Sequence, residues 1–260
     1  MKSELHKEAL SALRSGRILI LMASFLFLAL LTPTMLKIVL PKVLGSRIAG
    51  DASQEIHEIM NMTQLGCIRS YVGHVFEIGS LIVAFTLCGL TASEIHGNTW
   101  VLPVCAGKRF AQMVGAKLFI FGSLLMITSV LALLANYGYS GLLFGFELGV
   151  LPILRAGLLQ GMYMLFLLSC LITWGVFRKR PIAAGFLTLA TAYGVHLITS
   201  LLRIHPYTPS GLLIHVHELT PAFDSSLLLP LGVTILLIIA MALITIGLLK
   251  RLEWNGRSAW

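Results

Sequence analysis

The chain has 260 residues, 57% of them hydrophobic and only 12% charged, against roughly 25% charged in ordinary soluble domains. Eleven acidic and 19 basic residues are too few to cover a globular surface, which excludes a soluble domain, and the apolar excess excludes a disordered chain. The net charge of +8 is spread along the chain as flanks of apolar stretches, which points to anionic lipid headgroups and away from nucleic acid.

In residues 1–17, Leu5, Ala9, Ala12 and Leu13 recur at helical spacing among Lys, Glu and Arg, which predicts an interfacial amphipathic helix along the inner leaflet. Six stretches then reach the roughly 20 apolar residues that a bilayer crossing needs. They lie at about 18–40, 71–92, 112–135, 156–177, 181–203 and 225–249. Backbone amides in hydrocarbon must be satisfied within their own segment, and barrel strands would be half as long and alternating, so the spans are read as helices. Glu4 and Glu8 ahead of the first span, with no small-residue cleavage site before Pro41, argue for an uncleaved anchor. Pro33 predicts a kink within it.

In the second span His74 and Glu77 stand three residues apart, hence on one helical face. An ionised carboxylate at mid-membrane costs about 2.5–3.5 kcal/mol on insertion scales, so the pair is expected to face the protein interior. There it would either line a substrate or proton path or form a structural hydrogen bond. His196 in the fifth span is a lone histidine on an apolar helix and reads as a satisfied interior polar group in preference to a ligand.

Residues 93–111 carry charges together with Gly97, Pro103 and Gly107, which forbid one long membrane helix. Trp100 and the basic residues favour the interface, so a short helix parallel to the cytoplasmic surface is expected. Asn136 to Arg155 and the segment 204–224 read as structured turns or short re-entrant elements on the outer side. In the latter, His215-Val216-His217-Glu218 invites a metal reading, which His57, Met60 and Met62 of the first outer loop would extend. No third ligand stands at a diagnostic spacing and HExxH is absent, so no metal site is assigned. Cys67, Cys88, Cys105 and Cys170 form no CxxC pair, and neither a zinc site nor a disulfide framework follows. Gly79, Gly89, Gly115, Gly122, Gly185 and Gly194 suit close helix packing, with no GxxxG read within a span to locate an interface.

With the N-terminus cytoplasmic, 13 of the 19 basic residues fall on the inner side, so both termini are placed inside. The pattern Glu94-x-x-Gly97-x-Thr99, followed by Pro103, Arg109 and Lys117, resembles the cytoplasmic loop of ABC-2 type permeases, the membrane subunits of one class of ATP-driven transporter. The run with Glu8, Arg14 and Arg17 ahead of the first span is similar to that family's elbow helix, and six spans match its half-transporter layout.

The resemblance implies an all-α membrane subunit of an exporter in a bacterial cytoplasmic (inner) membrane, working as a dimer with a second copy or a paralogue. Glu94, His96, Gly97, Thr99, Trp100, Pro103 and Arg109 would then form the coupling loop for a cytoplasmic ABC ATPase subunit. In that loop Glu94 and His96 would contact the partner, and Thr99 would cap the following helix. No GxxxxGK[ST] phosphate loop occurs, so no cofactor is expected in this chain, and ATP with Mg would be held by the partner. The rival readings are a polytopic membrane enzyme, such as a protease or lipid-modifying transferase, and an immunity or regulatory protein without transport. Against the enzyme stand the absence of GxSxG and of any acidic pair at helical spacing within a span.

Overall fold

The computed structural model describes residues 2–39, 42, 63–202, 204, 207–219 and 225–251. Among them every regular element is helical. Helix α1 (Lys2–Arg14) leads through Gly16, whose φ of 67° lies in the left-handed region that favours glycine, into α2 (Arg17–Thr34). A π-helical turn, Met35–Val39, prolongs α2. The next run is built from α3 (Gln64–His74), a π-helical turn at Val75–Gly79, α4 (Ser80–Leu87) and α5 (Gly89–His96). A single short helix, α6 (Val101–Cys105), separates it from α7 (Phe110–Phe144). Then come α8 (Val150–Arg178), α9 (Pro181–Leu201), α10 (Pro209–Glu218) and α11 (Ser225–Lys250).

Six of these helical runs are long and apolar enough to cross a membrane: Arg17–Val39, Gln64–His96, Phe110–Phe144, Val150–Arg178, Pro181–Leu201 and Leu227–Lys250. The chain is thus a multi-pass membrane protein by length and composition. Along α2 the buried residues Leu21, Phe25, Leu28, Ala29 and Thr32 form one stripe against α7, while Leu19, Leu26 and Phe27 stay exposed and apolar, as a lipid-facing surface requires.

The most deeply buried span is α8, which packs against α5, α7, α9, α10 and α11. It meets α7 through Gly157 and Gly161. A Cβ on Gly157 would lie 3.0 Å from the Val130 Cα, and one on Gly161 would lie 3.0 Å from the Met126 Cα. Gly157-x-x-x-Gly161 is therefore a small-xxx-small contact within a span, which corrects the sequence reading that found none.

The turn expected over Asn136–Arg155 is mostly helix. It is confined to the residues between Phe144 and Val150, with Gly145 at φ 94° closing α7. The extension persists because its polar groups find partners on neighbouring spans. Thr34 and Tyr139 share a 3.2 Å hydroxyl contact, and Tyr137 donates to the Leu148 carbonyl at 2.8 Å. The buried Gln64 amide donates to the Tyr137 carbonyl and accepts from the Glu147 and Leu148 N–H groups. Pro33 removes the donor that would serve the Ala29 carbonyl one turn back, and Asn136 Nδ2 on α7 supplies it at 2.8 Å. Residues 43–62, including His57, Met60 and Met62, lie outside the described residues, as do 1, 40–41, 203, 205–206, 220–224 and 252–260.

Candidate functional site

At the end of the bundle where α1 lies, a lysine is held between two carboxylates. Lys117, seven residues inside α7, is 1% exposed, and its Nζ lies 2.9 Å from both Glu8 oxygens and 2.9 Å from Glu94 Oε2. The Trp100 indole N–H donates to the same Glu94 oxygen, and Trp100 is fully buried. Nearby, Lys108 pairs with Glu4 at 3.4 Å. Glu4 and Glu8 stand one turn apart and Ala12 follows one turn later, so α1 turns this stripe to the bundle. The apolar stripe expected from Leu5, Ala9, Ala12 and Leu13 does not form as such: Ala12 is buried, Leu5 and Ala9 are half-buried, and Leu13 is exposed. Ion pairing to α7 and its preceding turn outweighs the apolar pattern.

The residues predicted to form a coupling loop divide into an inward and an outward set. Glu94, 23% exposed, turns one carboxylate oxygen inward onto Lys117, where the buried Trp100 also donates to it. His96, Gly97, Thr99 and Arg109 are exposed, and Pro103 is half-buried within α6. α5 ends in a Schellman turn: Asn98 takes the left-handed conformation at φ 52°, Thr99 N–H donates to the Glu94 carbonyl, and Asn98 N–H to the Ile95 carbonyl. The Thr99 hydroxyl also donates to the Glu94 carbonyl at 3.1 Å. It therefore closes the helix before it instead of capping the one after, whose N-cap is Trp100 with no side-chain cap bond. Leu102, on α6, is 79% exposed at this tip.

Away from that end, the second candidate cluster comes apart. His74 turns to α2, where its Nδ1 lies 3.1 Å from Thr32 Oγ1. Glu77 instead lines a groove of about 400 Å³ with His196 of α9 and His217 and Glu218 of α10. The shared face predicted from their spacing assumes α-helical geometry, and the wider π-helical turn that begins at Val75 breaks it. Tyr193 of α9 donates to the Glu77 carbonyl at 2.7 Å. His196 stacks obliquely on Phe76 at 4.8 Å between ring centroids.

His215 and His217 do not converge. They lie on α10, and in a helix residues two apart point to different sides. His217 enters the Glu77 groove, whereas His215 lines a separate cavity with Arg155 and Leu159. Pro209 sits in the first turn of α10, where its missing donor costs nothing. Arg69 Nε donates to the His217 carbonyl at 2.9 Å. Burial, with the Arg69 charge adding to it, holds the His217 imidazole below its ordinary value. Among the described residues no group of three or more His, Cys, Asp or Glu side chains is placed to hold a metal ion.

Sequence reasoning gave Glu8 and Lys117 no pairing role. The available signal was the Glu4, Glu8, Ala12 stripe, with a lysine well inside an apolar span. No family model, curated protein or solved structure matches the chain.

Proposed function

We propose that the chain is the permease subunit of an ABC-2 type exporter, a six-span half-transporter with both termini cytoplasmic, coupled to a separate ATPase subunit. The observation that carries this reading is the Lys117 clamp, which joins α1, the end of α5 and the foot of α7 at one end of the bundle. Beyond the clamp project His96, Asn98, Thr99 and Leu102, an exposed tip on a short helix. A load on that tip passes to α7 and α1 through ion pairs and the Trp100 hydrogen bond instead of being lost in a flexible loop. The chain holds no phosphate loop, so ATP and Mg belong to the partner. ATP binding would draw two ATPase subunits together, move the tips, and shift two permease halves between inward and outward openings.

Extraction of the chain from its native membranes in mild detergent tests the reading. A nucleotide-hydrolysing subunit in stoichiometric amount, with hydrolysis stimulated by the permease, is the expected result. Transport or catalysis by the purified chain without such a subunit would overturn it.

A further inference from the structure

The groove between α3 with its following π-helical turn, α9 and α10 joins two carboxylates, Glu77 and Glu218, to the rings of Phe76, His196 and His217. We propose that this groove is a binding site for a lipophilic organic cation. As the cargo of transport the cation rests on the permease reading, but its binding to the chain does not.

Charge comes first. Between Arg69 and Glu94, Glu77 is the only residue among Asp, Glu, Lys and Arg. At 1.5 Å per residue it stands about 12 Å along the helix from Arg69 and about 25 Å from Glu94, well within a hydrocarbon layer about 30 Å thick. Its side chain is exposed, and the ion pairs formed between described residues, Lys108–Glu4, Lys117–Glu8 and Lys117–Glu94, do not include it. A carboxylate at this depth requires a counter-charge. Arg69, outside the lining of the groove, directs its Nε to the His217 carbonyl. The described lining of the groove contains neither Lys nor Arg.

The walls determine what kind of cation fits. Val72, Leu213 and Ile214 offer apolar surface, and Phe76 is braced by Tyr163, Tyr193 and His196, with ring centroids at 5.8, 5.6 and 4.8 Å. A fixed aromatic ring attracts a poorly hydrated organic cation by its quadrupole, whereas a small hydrophilic ion would forfeit its water for few oxygen ligands. The absence of a three-ligand metal group among the described residues agrees with that choice.

The test uses the full chain in phosphatidylcholine nanodiscs with two probes of matched size and opposite charge, tetraphenylphosphonium and tetraphenylborate. The phosphonium is expected to bind saturably and at least about tenfold tighter than the borate. Glu77→Gln should weaken phosphonium binding about tenfold, and Glu218→Gln by a smaller factor. Gly73 lines the groove with open space at its Cβ position, so Gly73→Leu should block the phosphonium while leaving both carboxylates and the fold in place. Equal binding of the two probes, or unchanged phosphonium binding in a folded Glu77→Gln or Gly73→Leu variant, overturns the proposal. Because no ATPase is present, loss of binding condemns the groove alone, and an autonomous chain condemns the permease reading alone.

Discussion

Lys117 and Glu8 are 109 residues apart in the chain and meet at 2.9 Å, with Lys117 also contacting Glu94 at 2.9 Å. One cation between two carboxylates leaves the set with a net negative charge, which the Trp100 N–H shares. The arrangement determines where α1 sits. Without the ion pairs, a helix with Glu4 and Glu8 on one stripe would have no reason to turn that stripe inward.

Lys117→Met leaves Glu8 and Glu94 facing each other with the cation gone. A buried pair broken from one side typically loses about 3–5 kcal/mol, so a large fall in thermal midpoint is expected in detergent. The double variant Lys117→Met with Glu8→Gln should recover part of the loss, because it removes one of the two stranded charges. Equal midpoints for Lys117→Met and the parent chain would remove the clamp from the account.

The clamp also decides which substitutions probe docking. Glu94→Lys would set a second ammonium against Lys117 and so report on folding. Leu102, 79% exposed, is the cleaner probe. Leu102→Glu should change stability by no more than about 0.5 kcal/mol. On the permease reading it should nonetheless lower the amount of ATPase that co-purifies with the chain. Undiminished co-purification would take α6 out of the docking surface.

Asn136 and Pro33 are coupled through a carbonyl that neither owns. Asn136→Leu strands the Ala29 oxygen, a loss of about 1–2 kcal/mol, between the soluble and membrane ranges for such bonds. In a Pro33→Ala background the residue 33 N–H can reach that oxygen again, so the same Asn136→Leu change should cost less. A thermodynamic cycle in detergent is the measurement, and strict additivity of the two changes would remove the coupling.

The six spans were legible because their signal is one of length: uninterrupted apolar runs need no partner to be recognised. Their ends were not. Asn136, Tyr137 and Tyr139 look like a turn in isolation, and only Ala29, Thr34 and Leu148 on other segments make them helical. Likewise, the spacing of His74 and Glu77 was correctly counted, but a π-helical turn alters which residues share a face, and no residue of the sequence Val75–Gly79 announces it. Lys117 carried a signal that was legible in principle. A lysine beyond the first turn of an apolar helix demands a carboxylate, and Glu8 and Glu94 were among only 11 acids from which to choose.

Gly157 and Gly161 set how closely α7 and α8 approach. Gly157→Ala places its methyl group 3.0 Å from the Val130 Cα, a backbone atom that cannot move aside alone, so the two helices must separate. Overpacking of this kind costs about 1–3 kcal/mol. Gly138→Ala in α7 meets nothing within 4 Å and should hold or raise stability through helix propensity. Comparable thermal midpoints for the two variants would show that the close approach is not maintained.

His217 gives the fold a pH dependence of known sign. Its imidazole is held below the ordinary value of 6.5 by burial and by Arg69, so the folded chain binds that proton less readily than the unfolded one. Above pH 6.5 both states leave the group neutral and its contribution is constant. As pH falls through 6.5 the unfolded state takes up the proton first, and stability declines until the folded state also protonates. His217→Gln should therefore flatten the decline of thermal midpoint on the acid side of 6.5 while leaving the neutral range unchanged. Arg69→Gln should flatten it in part, because it removes the second of the two causes. If His217→Gln steepens the acid-side decline, the sign of the shift is wrong and His217 is held by a carboxylate instead of being opposed by Arg69.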